Sequence, residues 1–259
     1  MTHATSPAAA TPPGHRLPDH RIEMRWSDLD ILEHVNNVVY LEYVDDARES
    51  LSSALGPARR VASCDIEYLQ ALELTDLPVI VTSRLSGDLL HQEVAVAYPA
   101  GRTIHARVTT RLVTEFEPLA PIESPTRSTR VSLRARDLDG GSAVNSAMFG
   151  FFQEARILSL GRREPDYPGG RVVVARSSMR YASAIPMRTE PYEVRSAIER
   201  IGRSSVTMRL QLVDTQTVLA ETTSTFVAFD SSTKRSRPFG DAERDHMLSR
   251  VPMAAAPAH

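Results

Sequence analysis

"RWSDLDILEHVNNVVYLEYVDDAR", residues 25–48, places several polar side chains directly ahead of a helix-like pattern. Two aspartates, a histidine and two asparagines fall within ten residues of one another. The apolar residues that follow have the spacing of an amphipathic helix: Tyr40, Tyr43, Val44, Ala47 and Leu51. Gly56 and Pro57 favour the end of that helix. The cluster therefore lies at a predicted helix N-terminus. Its role there is that of a helix cap, of a chemical site, or of both.

The chain contains a second, altered copy of this stretch. "RWSDLDILEHVN" (residues 25–36) and "RARDLDGGSAVN" (residues 134–145) are identical at six of twelve positions without a gap. This gapless alignment places Ala143 opposite His34. Because the repeat has the length of a domain, it predicts two copies of one fold rather than a solenoid.

The segments after each predicted helix are rich in Val, Thr and Ile and are separated by turn signals. Consecutive strands with short turns favour an antiparallel sheet. Ahead of the helices, Ile22, Met24 and Trp26 alternate with charged residues, which predicts a short half-buried strand. The predicted class is α+β, with two tandem units that each pack a long helix on an antiparallel sheet.

Composition shifts give the predicted domain boundaries. Residues 1–18 are rich in Pro and Ala, which predicts a disordered tail. The first domain then spans 19–117, a Pro-, Ser- and Thr-rich linker spans 118–129, and the second domain spans 130–240. Residues 241–259 are predicted to be a C-terminal tail.

Composition and charge exclude several classes of protein. A formal net charge of −2 gives no reason to expect nucleic acid or an anionic membrane as a partner. Cys64 is the only cysteine, which excludes intramolecular disulfides and cysteine-clustered metal sites. No metal or other cofactor is predicted. The sequence shows neither a signal peptide nor an apolar run of about 18 residues, so a cytoplasmic protein is the default.

The segment "SDLDILEHVNNVVYLEYVDDAR" resembles the D-x-D-x-x-G-H-V-N-N-x-x-Y segment of hotdog-fold acyl thioesterases. These include the 4-hydroxybenzoyl-CoA thioesterase-like family, the long-chain acyl-CoA thioesterases and the plant acyl-ACP thioesterases. The resemblance is close over residues 26–48, and the second copy matches only around "RDLD…VN…F…EAR". It implies a central helix wrapped by an antiparallel sheet, with active sites between paired domains. Two units in one chain then imply a double hotdog that forms its own pseudo-dimer and could assemble further.

The resemblance also implies roles for the polar cluster. Asp30 matches the aspartate that acts as nucleophile or general base in relatives. His34 and Asn36 or Asn37 would orient the carboxylate, the water or the substrate carbonyl, and Tyr40 would line the acyl pocket. The helix N-terminus supplies the positive potential that the thioester carbonyl needs.

Structural interpretations compete with these roles. Asp28 and one of the asparagines are more simply a turn residue and an N-cap, whereas the family match favours catalysis for Asp30. His34 could equally pack at the domain interface. Glu33 replaces the usual glycine before the histidine, which could alter the path of the loop.

The second copy leaves two interpretations open. Asp139 and Asn145 either form a second, differently tuned site, or they belong to a degenerate half that completes the first site; we favour the latter.

The leading prediction is hydrolysis of an acyl-CoA thioester, or of an acyl-ACP thioester. One alternative is hydration of an enoyl thioester. Hydratases of this fold use an aspartate followed five residues later by a histidine, and here the spacing from Asp30 to His34 is four. The other alternative is a non-catalytic protein that binds acyl thioesters.

Overall fold

The computed structural model describes residues 14–56, 59–123, 126–139, 141–162 and 171–254. Residues 14–123 are called the first half below, and residues 126–254 the second half. The first half contains β1 His15–Arg16, β2 His20–Ile22, α1 Val39–Ser50, α2 Ser52–Leu55, β3 Arg60–Tyr68, β4 Val79–Ser86, β5 Leu89–Tyr98 and β6 Gly101–Val113. The second half contains β7 Arg127–Val131, β8 Leu138–Asp139, β9 Ser142–Ala143, α3 Asn145–Ser159, β10 Val172–Tyr181, β11 Tyr192–Ile201, β12 Ser205–Asp214, β13 Thr217–Asp230, β14 Arg235–Ser236 and α4 Asp241–Arg250.

Twelve of these strands form one sheet with the order β1-β4-β5-β6-β3-β10-β13-β12-β11-β7, with β2 also on β4 and β14 on β13. All pairings between its named strands are antiparallel, and β3 pairs with β10 so that Cys64 lies opposite Met179. The sheet therefore runs without a break from one half into the other. The predicted α+β class with an antiparallel sheet is confirmed.

Helices α1 and α3 share one hydrophobic core with the sheet. The side chains of Leu41, Val44 and Ala47 are fully buried in that core, as is Met148 of α3. A methyl group built on Gly150 of α3 would lie 3.8 Å from a methyl group of Val38, so the second helix crosses close to the start of the first. This crossing brings the N-terminus of each helix towards the other half.

The predicted strand through residue 26 was wrong at its C-terminal end. Strand β2 ends at Ile22, and residues 26–28 form a 3-10 turn that leaves the Trp26 side chain 78% exposed. The turn forms because the Asp28 carboxylate accepts the N–H of Arg25, which takes the chain out of the extended conformation.

Both predicted tails contain ordered structure. Strand β1 pairs with β4, and Leu17 beside it is buried. Within the predicted C-terminal tail, residues 241–250 form α4, and Val251 after it is fully buried. Residues 1–13 and 255–259, the outer parts of these tails, lie outside the described residues.

The predicted linker is attached to the outer face of the second half. The buried side chain of Gln211 donates to the carbonyl of Ala120 and accepts the N–H of Ile122, both at 2.8 Å. Its Nε2 also contacts Glu221 at 2.6 Å. None of the helices among the described residues is long and apolar enough to cross a membrane.

Candidate active site

Hydrogen bonds to Asp28 hold the two ends of the loop over residues 25–36 together. Oδ2 of Asp28 accepts the N–H of Arg25 at 2.8 Å and the hydroxyl of Tyr43 at 2.5 Å. The carbonyl of Asp28 accepts the N–H of Asn36 at 2.8 Å, which ties the beginning of the loop to the beginning of α1. The buried Asp28 carboxylate therefore has the structural role that the turn interpretation predicts.

Asp30 begins a tight turn that ends at His34. Its N–H donates to the carbonyl of His34 at 2.8 Å, and its carbonyl accepts the N–H of Glu33 at 3.0 Å. Oδ1 of Asp30 accepts the N–H of Leu32 at 2.8 Å, which fixes the carboxylate in place. Oδ2 has no hydrogen-bond partner among the described residues, so one oxygen of this half-buried carboxylate is available for chemistry.

Glu33 adopts a left-handed conformation, with φ at 60°. Glycine adopts this conformation freely, whereas a residue with a Cβ atom does so at a cost of roughly 1–2 kcal/mol. The replacement of the usual glycine thus leaves the chain in a conformation that glycine favours, and the loop carries backbone strain.

The imidazole of His34 faces a carboxylate from another segment. An isolated antiparallel bridge joins the backbones of His34 and Glu73, and Nε2 of His34 lies 3.9 Å from Oε1 of Glu73. The N–H of Val35 donates to the carbonyl of Leu72 at 2.8 Å, which holds the two segments together. Glu73 lies in a region of loose resemblance to relatives, and sequence reasoning did not assign it a role.

The two asparagines have different environments. Oδ1 of Asn36 accepts the N–H of Val38 at 2.9 Å, and its carbonyl accepts the N–H of Val39 at 2.9 Å, so Asn36 caps α1. The carbonyl of Asn37 accepts the hydroxyl of Tyr68 at 2.7 Å, and the Asn37 side chain also interacts with that hydroxyl. Among the described residues, the N–H of Tyr40 has no acceptor.

The side chain of Tyr40 is a fixed part of the wall beneath this helix end. Its hydroxyl oxygen accepts the N–H of Leu72 at 3.1 Å, and its ring meets that of Tyr68 edge-on at 5.4 Å. Burial raises the pKa of the Tyr40 hydroxyl, partly offset by the Leu72 N–H, so the hydroxyl stays protonated. Its contact with substrate remains a prediction.

The corresponding corner of the second half is aligned differently from the gapless comparison. The bond from Val35 to Leu72 matches one from Ala143 to Ile185 at 2.9 Å. By the same correspondence Ser142 is the counterpart of His34, and its bridge to Pro186 replaces the bridge from His34 to Glu73.

The rest of the corner follows the same shift. The bond from Asn36 to Asp28 matches one from Val144 to Asp137 at 3.0 Å. The counterpart of Asn37 is therefore Asn145. A one-residue deletion in the second loop causes this shift. Three residues separate Asp30 from His34, whereas only two separate Asp139 from Ser142.

The N-terminus of α3 is occupied by a side chain of the first half. Oδ2 of Asp45 accepts the N–H of Ser146 at 2.8 Å, and the same carboxylate pairs with Arg48 at 2.6 Å. Oδ1 of Asn145 accepts the hydroxyl of Tyr181 at 2.9 Å. Asp139 is exposed in the short β8–β9 ladder. A carboxylate therefore already compensates the positive end of this helix.

Sequence reasoning also missed His105. It contacts the segment that pairs with the loop of the candidate site. It sits at a bulge between β5 and β6, and its Nδ1 lies 3.0 Å from the carbonyl of Ala71. Its Nε2 is buried without a partner among the described residues, and burial lowers the pKa of the imidazole. Its counterpart at the bulge of the second half is Leu219, whose carbonyl accepts the N–H of Ala182 as that of His105 accepts the N–H of Leu69.

Models of two thioesterase families match the chain. Residues 15–109 match the acyl-ACP thioesterase C-terminal domain, and residues 133–251 match the thioesterase-like superfamily. Each half of the chain thus matches a thioesterase family. The enzyme class of the chain is accordingly that of the thioester hydrolases. No curated protein sequence matches the chain significantly.

Several solved structures share the fold of this thioesterase-family chain. A protein described as an oleoyl thioesterase from Lactobacillus plantarum is 14% identical, with 82% of this chain and 94% of that chain covered and a TM-score of 0.58. The 12:0-ACP thioesterase from Umbellularia californica is 10% identical, with coverage of 80% and 92% and a TM-score of 0.56. The dehydratase domain of RzxB from Pseudomonas fluorescens is 12% identical, with coverage of 80% and 94% and a TM-score of 0.56.

Proposed function

We propose that this thioesterase-family chain hydrolyses an acyl thioester to a free acid and a thiol, with coenzyme A as the preferred carrier and acyl carrier protein as the alternative. Asp30 acts as nucleophile or as the general base that activates water. The observation that carries this proposal is a juxtaposition: the Asp30 turn is tied to the start of α1, where the N–H of Tyr40 lacks an acceptor among the described residues. An unpaired N–H at a helix N-terminus can polarise the thioester carbonyl.

We propose that His34 and Asn37 orient the water or the substrate carbonyl. The imidazole of His34 is at the same turn as Asp30, and Asn37 lies between that turn and the start of α1. Asn36 is assigned to the helix instead, because its side chain already accepts the N–H of Val38. Tyr40 is assigned to the wall of the acyl pocket.

We infer that the chain is a tandem of two hotdog domains, over residues 19–117 and 130–240, that pair within the chain. The repeated element order and the pairing of β3 with β10 support this arrangement. The two helices, of 12 and 15 residues, would be the central helices of the two domains.

We further propose that the first half holds the dominant site. The carboxylate of Asp45 compensates the N-terminus of α3, where a developing oxyanion would otherwise bind. The second half also has Ser142 in place of His34, so it supplies no imidazole there. Asp139 alone would then be a poor catalyst.

One set of assays separates this function from its alternatives. Purified protein is offered saturated, aromatic and 2-enoyl CoA thioesters, and saturated acyl-ACP, while thiol release and enoyl absorbance are followed. If the protein is a hydrolase, it releases thiol from these substrates. Asp30→Asn is then expected to lower the rate of thiol release by roughly 10²–10⁴-fold. The matched variant Asp139→Asn keeps near wild-type turnover.

Other outcomes would contradict the proposal. Equal losses in Asp30→Asn and Asp139→Asn would exclude one dominant site. Loss of enoyl absorbance without thiol release would identify a hydratase, and binding of acyl-CoA without turnover would identify a binding protein.

A further inference from the structure

Lys234 is the only lysine of the chain, and it lies beside the candidate site of the other half. It belongs to the turn between β13 and β14, where the Asp230 carboxylate accepts the N–H of Ser232 at 2.9 Å. Nζ of Lys234 lies 3.0 Å from Oε1 of Glu73, 161 residues earlier in the chain. A hairpin of the second half thus places a cation at the corner of the first half.

The backbone of Glu73 is fixed, whereas its side chain is largely exposed to solvent. The bridge to His34 fixes its Cα atom, whereas the side chain is 64% exposed. Its Oε1 is shared, at 3.0 Å from Lys234 and 3.9 Å from Nε2 of His34. The hydrogen bond from Lys234 also lowers the pKa of the Glu73 carboxyl, so it is ionised at neutral pH.

Among its described residues, the second half has no equivalent of this arrangement. Ser142 and Pro186 occupy the positions of His34 and Glu73, and neither can carry a charge. The three-residue assembly therefore occurs at one of the two corners, the one that holds Asp30.

We propose that Lys234 is a positioning residue of the first site, supplied by the second half, that holds the Glu73 carboxylate against His34. This inference rests on the proposed hydrolysis. The carboxylate in turn orients the His34 imidazole that aligns the water or the substrate carbonyl, as an aspartate orients the histidine of hydrolytic triads. Without Lys234, the exposed Glu73 side chain leaves this position for solvent, because nothing else among the described residues donates a hydrogen bond to it.

The test is kinetic and uses the full-length chain with the best CoA thioester from the assay panel. Because exposed ion pairs contribute little, Lys234→Ala is expected to lower kcat by roughly two- to fivefold, with KM unchanged. Lys234→Arg restores kcat, since a guanidinium can reach the same carboxylate. Arg111→Ala is the matched control, because it breaks another exposed pair, with Asp88 at 2.9 Å, and leaves kcat unchanged.

Two further measurements separate positioning from other roles. Glu73→Gln is expected to lower kcat as much as Lys234→Ala does, and the double variant no further, because both act through one contact. High salt should remove the difference between wild type and Lys234→Ala. A rise in KM without loss of kcat would overturn the inference, since Lys234 would then bind substrate directly.

The proposed function can fail separately from this inference. If wild type releases no thiol from any thioester, the hydrolysis itself is excluded, together with the inference that depends on it. If wild type turns over and Lys234→Ala matches it in kcat at low salt, only the positioning role is overturned.

Discussion

The loop–helix corners of the two halves share their main backbone hydrogen bonds but differ in chemistry. In each, an aspartate accepts an N–H three residues earlier: Asp28 that of Arg25, and Asp137 that of Arg134. The residue at the helix start then donates to the carbonyl of that aspartate. What the two copies have in common is therefore explained by folding alone.

The difference lies in how each helix end is satisfied. Asn36 caps α1 from within its own loop, whereas its counterpart Val144 has no polar side chain to cap α3. The N–H of Ser146 is paired with Asp45 of the other helix instead. The N–H of Met148 donates to the carbonyl of Val144, whereas its counterpart on Tyr40 has no acceptor among the described residues. Among the described residues, each helix start thus keeps one N–H without an acceptor, that of Tyr40 in α1 and that of Ala147 in α3, and the Asp45 carboxylate compensates the positive end of α3.

The largest expected effect comes from making the first corner resemble the second. His34→Ser copies the counterpart residue Ser142, and we expect kcat/KM to fall by roughly 10²-fold or more, because the water or the substrate carbonyl loses a group that orients it. The fold should persist, because the second corner forms with serine at this place. Thiol release and a thermal melt of the same sample measure both quantities. Ser142→Ala is the control, and an equal loss there would mean that the second corner also contributes to turnover.

Removal of the Asp45 carboxylate should destabilise the protein without abolishing activity. Asp45→Ala leaves the N–H of Ser146 and the charge of Arg48 unpaired, which should cost about 1–2 kcal/mol in urea unfolding. Asp46→Ala, an exposed neighbour on the same helix, should cost little. Adding Val144→Asn to Asp45→Ala should restore stability by giving α3 a cap of its own. No recovery would show that Asp45 acts through Arg48 rather than as a cap.

His105 predicts a difference in acid sensitivity between the halves. Because burial holds its pKa below the unfolded value of about 6.5, the unfolded chain binds the proton first as the pH falls. The neutral His105 imidazole therefore makes its full contribution to stability above about pH 6.5, and this contribution is lost as the pH falls below that value. We expect His105→Leu, which copies Leu219 of the second half, to lose less stability between pH 7.5 and 5.5 than wild type does in urea titrations.

The reciprocal variant provides the control. Leu219→His places a buried imidazole at the second bulge, and it should add acid sensitivity that wild type lacks. If both variants have the pH dependence of wild type, the acid response arises elsewhere in the chain.

The regular strands and the two core helices were predictable because their apolar residues recur with the period of a strand or of a helix. The runs predicted as strands contain β4, β5 and β6 in the first half and β10 to β13 in the second. Gly161, just beyond α3, has φ at 63°, as is common for a glycine that ends a helix. Helix α4 was missed because "DAERDHMLSR" has almost no apolar stripe, and contacts such as the pair between Arg237 and Glu243 stabilise it.

The site was only partly predictable, for two physical reasons. The loop of the second copy is one residue shorter, and identities on both sides of the deletion concealed it, so His34 was aligned with the wrong residue. The contact between Glu73 and Lys234 joins residues far apart in the chain, and no local pattern encodes such a pair. What the sequence could supply was the corner itself, with Asp30, His34 and the asparagines in it.

The smallest expected effect concerns Glu33, whose counterpart Gly141 has φ at 83° where Glu33 has 60°. Glu33→Gly should relieve the strain of a Cβ atom in this conformation and raise the free energy of unfolding by about 0.5–1 kcal/mol, after the greater backbone entropy of glycine in the unfolded chain is subtracted. Thr215→Gly, at φ 57° in the β12–β13 hairpin, is the matched control and should gain a similar amount. If only Thr215→Gly stabilises, the Glu33 side chain contributes an interaction that offsets its strain. If both variants stabilise the protein and Glu33→Gly leaves kcat unchanged, the strain at the Asp30 turn is not needed for turnover. The presence of Glu33 in place of glycine then affects only the stability of the first corner.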